Sequence, residues 1–173
     1  MEKLLPLPTS INLEQLRENL DYLVTSMSAY MCDCLVVCFA EENHNIGLIL
    51  KVETEDKNYS FQLEWTTKIT PHLIGATRDE ERTTEWAAMG IALLLVRELT
   101  EYPYICTSHK KTGIDFFLSK NATEMNRDAR LEISSIRKES PTNTLKRRLV
   151  IKKRQTEPSD ALNMPAFYFN NRI

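Results

Sequence analysis

Apolar residues recur in steps of three and four near the start of the chain. Leu13, Leu16, Leu20, Leu23 and Met27 share one face of a helix expected over residues 12–30, with Ser10 or Asn12 as its cap. Cys34, Val37 and Cys38 keep that spacing, so the helix is expected to continue and to fray at Glu41-Glu42-Asn43. The period then drops to two. Residues 47–54 form one β-rich segment, and in 59–66 Tyr59, Phe61, Leu63 and Trp65 alternate with Ser60, Gln62 and Glu64. Glu55-Asp56-Lys57-Asn58 reads as the hairpin turn between them, and Pro71 opens a less regular link.

Residues 79–101 give the clearest helix. Asp79 to Glu81 occupy its first turn, where the helix dipole favours acids, and Trp86 to Val96 is apolar on nearly every face, which predicts burial on most sides. Pro103 closes it. Strands follow at 103–109, 114–118 and 129–136, with Lys110-Lys111-Thr112-Gly113 as the first turn. A second helix is expected over about 142–156, with a narrow apolar stripe of Leu145, Leu149 and Val150, and a last strand at Pro165 to Phe169. The order after residue 79 is α-β-β-β-α-β. The predicted fold is α/β (α+β): a mixed central sheet with a helix packed against it, preceded by an N-terminal helix and hairpin over residues 10–66. At 173 residues this is one domain, 1–173, with its core at about 79–170.

Composition narrows the class without naming a function. Hydrophobic residues make up 42% and charged residues 27%, which suits a globular protein, and four glycines exclude a collagen-like chain. No apolar run reaches the ~18 residues that a bilayer span needs. The expectation is a cytoplasmic protein with no membrane partner. Net charge is −2, but residues 137–154 hold eight basic residues against one acid, +7, so the remainder carries −9. That asymmetry suits an anionic partner. Cys32, Cys34 and Cys38 lie in a C-x-C-x3-C spacing without a second CxxC or a histidine pair, so they read as buried thiols before zinc ligands. His44, His72 and His109 lie far apart and read as surface or turn residues.

Two acids interrupt apolar strands: Asp115 in Gly113-Ile114-Asp115-Phe116-Phe117, and Glu132 in Leu131-Glu132-Ile133. An ionised carboxylate among large apolar groups is costly unless solvated, paired or bound to a cation. Two readings stand side by side. Both acids can occupy solvated strand faces, paired with Arg130 or Lys111. Alternatively, adjacent strands bring them together around a hard cation such as Mg2+, which would relieve their repulsion. Glu85 is either a solvated acid near a helix start or a third acid aimed at that spot.

A helix bearing Glu85 in Thr84-Glu85-Trp86-Ala87-Ala88, then Thr112-Gly113-Ile114-Asp115, then Ala129-Arg130-Leu131-Glu132-Ile133-Ser134, then a basic helix ending in Gln155-Thr156 and the segment Leu162 to Tyr168, follow one another in order. In this the chain resembles the PD-(D/E)XK nuclease superfamily and its restriction-endonuclease-like core, and more narrowly a group of bacterial proteins with no assigned activity. The resemblance covers roughly residues 40–170. It implies Asp115, Glu132 and the Ile133 carbonyl as ligands of Mg2+ or Mn2+, and Glu85 as an accessory acid. The last motif position, a lysine in the superfamily, is Ser134 here. Serine supplies no positive charge, so Lys110 or Lys111 is the expected substitute. Arg147, Arg148, Lys152, Lys153 and Arg154 would follow a phosphate backbone, against the plainer reading of a solvated helix face.

The functional expectation is a metal-dependent nuclease-fold domain that acts on or binds nucleic acid phosphodiesters, within a mobile-element or phage-defence system. The alternative, prompted by Ser134, is a catalytically inactive module that binds nucleic acid or a protein partner.

Overall fold

The structure is a computed structural model describing residues 8–18, 25–54, 56–109, 114–122, 127–156 and 164–172. It is a mixed α/β arrangement with two mixed sheets. The N-terminal segment departs from the expected continuous helix. Thr9–Asn12 forms strand β1, and Leu13–Arg17 forms a 3-10 turn. Ser10 lies inside β1, and Asn12 is the cap: its side chain accepts the Glu14 N–H at 3.0 Å. Leu13 and Leu16 are fully buried, and a spacing of three fits a 3-10 turn as well as an α-helix. Leu20 and Leu23 lie outside the described residues. Helix α1, Thr25–Glu41, then runs through the cysteines as expected.

Strands β2 (Leu48–Glu53) and β3 (Asn58–Glu64) form the expected antiparallel pair. Strand β1 adds to the other side of β3 in parallel, Ile11 beside Leu63, giving the order β1-β3-β2. Phe61, Leu63 and Trp65 are buried, as a period of two requires. The link after Trp65 holds a short helix, α2 (Pro71–Ala76), which Thr70 caps and Pro71 starts. None of its residues is buried, so no apolar pattern announced it.

Helix α3, Glu80–Leu99, starts at an Asp79 cap whose side chain accepts the Arg82 N–H at 3.0 Å. Its burial from Ala87 to Val96 follows the apolar run. Gly90 sets how closely α1 approaches: a Cβ there would lie 3.0 Å from Leu35 Cδ1 and 3.1 Å from both Leu16 Cδ1 and Met31 Cβ.

The second sheet has the order β4-β5-β6-β7. Strands β4 (Tyr104–Thr107), β5 (Phe116–Ser119) and β6 (Ala129–Ile136) pair antiparallel in turn, and β7 (Ala166–Arg172) lies parallel to β6. A parallel neighbour requires a crossover, and helix α4 (Leu145–Thr156) lies within it. Alternation divides β6 between two faces. Ala129, Leu131 and Ile133 join the apolar cluster that includes α1, α3 and the first sheet. Arg130 and Glu132 therefore point to the opposite face, where Lys152 of α4 meets Glu132.

Helix α4 presents a different stripe from the expected one. Val150 is 46% exposed, whereas Leu145, Arg148, Leu149 and Lys152 are half-buried. These four follow the i, i+3, i+4, i+7 spacing of one helix face, and two of them are cations.

Candidate functional site

The β5–β6 ladder ends at Phe116 beside Leu131. Beyond that point the strands part, and the Asp115 side chain spans the opening: its Oδ2 accepts the Ile133 N–H at 2.7 Å. Lys152 reaches in from α4. Its Nζ lies 2.9 Å from the same Asp115 oxygen and 3.5 Å from Glu132 Oε2. The two carboxylates thus converge on one cation, although neither strand supplies it.

The three groups differ in exposure. The side chains of Asp115 and Lys152 are 27% and 19% exposed, and that of Glu132 is 0% exposed. Burial pushes the Glu132 carboxyl up from 4.5 to about 7; the Lys152 ammonium opposes this and the Asp115 charge adds to it. Among the described residues, neither Glu132 oxygen accepts a hydrogen bond. A fully buried carboxyl group that meets a Lys152 ammonium only at 3.5 Å, beside a second carboxylate, is a donor set that suits an oxygen-seeking cation. The pair stands without a third acid: among the described residues no group of three His, Cys, Asp or Glu side chains is placed to hold a metal. Mg2+ commonly binds through one or two carboxylates, with water and substrate oxygens completing its shell.

A cleft of about 820 Å³ opens beside this pair, lined by Ile133, Ser134, Arg148 and Lys152 on one side and by Glu81 and Glu85 of α3 on another. Glu85 is exposed and shares the cleft with Lys152. Ser134 is half-buried on the same lining. Lys110 and Lys111, the expected replacements for the motif lysine, lie outside the described residues, as does the Gln155 side chain. The positive charge beside the carboxylates comes instead from Lys152, assigned from sequence to nucleic acid contact.

The basic residues of α4 divide by face. Arg148 is committed to structure: its Nε donates to Asn143 Oδ1 at 2.8 Å and its Nη1 to the Ser135 carbonyl. Lys152 turns to the carboxylates. Lys146, Arg147, Lys153 and Arg154 are exposed, and they form the outward basic face. Lys153 also lies over the Tyr168 ring, 5.4 Å from its centre.

Outside the site, Arg137 joins three elements. It pairs with Glu41 at the end of α1, with Glu42 at 3.5 Å and with Glu80 at the start of α3 at 3.4 Å. Cys32, Cys34 and Cys38 are buried, and burial pushes their thiols up to about 11, 12 and 11. They are therefore protonated and unreactive at neutral pH. Among the described residues, no helix is long and apolar enough to cross a membrane. No family model, curated protein or solved structure matches the chain.

Proposed function

We propose that the protein is a metal-dependent phosphodiesterase with a restriction-endonuclease-like core that acts on nucleic acid, in the setting of a mobile-element or phage-defence system. One observation carries the reading: Asp115, the residue just before β5, and Glu132 of β6 converge on a single cationic group at the point where β5 and β6 part. The order of α3, three antiparallel strands, α4 and a parallel β7 supports it.

In this reading Asp115 and Glu132, with the Ile133 carbonyl that the resemblance implies, would hold Mg2+ or Mn2+. Such a cation lowers the pKa of water and polarises a phosphoryl oxygen. Lys152 provides the positive charge that Ser134 lacks, and offsets charge that builds on the phosphate. Glu85 acts as an accessory acid from the facing wall. The outward face of Lys146, Arg147, Lys153 and Arg154 holds the backbone of the nucleic acid.

The test is cleavage of single- and double-stranded DNA and RNA by purified protein with Mg2+ or Mn2+. Activity that vanishes in Asp115→Asn and on removal of the cation supports the reading. No cleavage of any form under either cation refutes it. A second reading, a binding module without chemistry, is favoured by the fact that Lys152 itself balances the carboxylates. It predicts salt-dependent nucleic acid binding that survives Asp115→Asn and fails when Arg147 and Lys153 are reversed in charge. Four phosphate contacts would give a slope of about −3 to −4 in log affinity against log salt.

A further inference from the structure

We infer that Lys152 is a built-in occupant of the cation seat, so that a divalent metal and the Lys152 ammonium exclude each other at Asp115 and nucleic acid phosphate decides between them. This rests on the reading of Asp115 and Glu132 as a metal pair, and adds an order to its loading.

The contacts at Asp115 Oδ2 carry the inference. That oxygen accepts Ile133 N–H at 2.7 Å and faces Lys152 Nζ at 2.9 Å. Lys152 Nζ already occupies the place between this oxygen and Glu132 Oε2, 2.9 and 3.5 Å from them, so a metal ion shared by these two oxygens must displace a donor. The Ile133 amide belongs to β6, and its position is fixed by the strand. Lys152 is the donor that can leave. It sits at the end of a flexible four-carbon stem and its side chain is 19% exposed. One turn earlier, Arg148 ties α4 to Asn143 and the Ser135 carbonyl. The helix therefore stays in place while the lysine swings.

The lysine also lines the cleft, where a phosphate is the natural anion to receive it. A phosphate that draws Lys152 away removes the ammonium that lies between the two carboxylates, which raises the affinity for a divalent metal. By linkage the metal raises the affinity for phosphate by the same factor. The protein alone thus holds metal weakly, and the site is completed only when nucleic acid is present.

The experiment measures Mn2+ binding to the full chain from the loss of the free-ion electron paramagnetic resonance signal. Wild type, Lys152→Met and Lys152→Gln are compared with and without a phosphorothioate-linked oligothymidylate. Both variants are expected to bind Mn2+ about tenfold or more tightly than wild type. The oligonucleotide should tighten Mn2+ binding in wild type and change it little in the variants. Thermal melts supply an independent readout: Mn2+ should raise the Tm of the variants more than that of wild type. If folded variants bind Mn2+ no more tightly than wild type, Lys152 is not a competitor and the inference fails while the metal pair stands. If neither wild type nor either variant binds Mn2+, with or without the oligonucleotide, the metal pair itself is refuted.

Discussion

Glu132→Gln should stabilise the protein at pH 8. The Glu132 carboxyl is 0% exposed and neither of its oxygens accepts a hydrogen bond among the described residues. Its ionised form is disfavoured even with Lys152 at 3.5 Å, since burial raises the carboxyl from 4.5 to about 7. The sign follows from proton uptake. Between pH 4.5 and 7 the folded protein holds a proton on Glu132 that the unfolded chain has released, so this residue favours folding less as pH rises through that window. At ~1.4 kcal/mol per pH unit, the difference reaches about 3 kcal/mol by pH 8. Glutamine keeps the shape and cannot ionise. It also leaves Lys152 paired with Asp115 at 2.9 Å, so no cation is orphaned by the change. Urea unfolding of wild type and Glu132→Gln, without divalent cations, should show a gain of about 1–3 kcal/mol for the variant at pH 8 that shrinks to near zero at pH 4. A variant less stable than wild type at pH 8, or a difference that does not change with pH, would refute the reasoning. In the first case the Lys152 attraction would outweigh desolvation, and in the second the two would balance.

Three further outcomes are expected. Gly90→Val should lower stability by about 2 kcal/mol in urea melts, since β-branched atoms would press on Leu35, Leu16 and Met31; Gly90→Ala should cost less, because alanine regains about 1 kcal/mol of helix propensity. Glu14 is opposed by burial, but hydrogen bonds from Thr67, Thr66 and Arg17 prevail and hold its carboxyl down to about 2. Its contribution is full above pH 4.5 and lost as pH falls through about 2, so Glu14→Gln should cost about 2 kcal/mol at pH 7, after allowance for solvent screening, and progressively less in melts below pH 4.5. Reversing Lys146 and Arg154 together should weaken nucleic acid binding in a filter or anisotropy assay and leave Tm nearly unchanged, whereas Arg148→Ala should lower stability by about 1–2 kcal/mol because it frees the Ser135 carbonyl and Asn143.

Those contrasts follow how the chain could be read. Strand β3 and helix α3 were legible because burial there follows the apolar pattern: Phe61 and Leu63 of β3 and Trp65 just after it at steps of two, and an unbroken apolar run on α3. The start of the chain was not, because Leu13 and Leu16 satisfy two helical geometries and only the pairing of Ile11 with Leu63 marks β1 as a strand. That contact spans some fifty positions, and no local pattern encodes it. Asp115 and Glu132 stood out as acids in apolar strands. Lys152 did not, because a lysine in a basic helix reads by default as solvated. The signal was present in its spacing from Leu145 and Leu149, which puts it on the inward face beside Arg148. Reading cations together with leucines on one stripe would have found both.

Strand β1 also bears on how the chain matures. It covers the edge of β3, whose Phe61 and Leu63 would otherwise border an open row of backbone donors and acceptors. That seat is complete only when residue 64 has emerged from the ribosome, by which time β1 has long been made, so the covering strand is on hand as soon as the edge forms. Removing residues through Asn12, or burdening them with a bulky fusion, should leave a chain prone to stick to its own copies before it loses any other element.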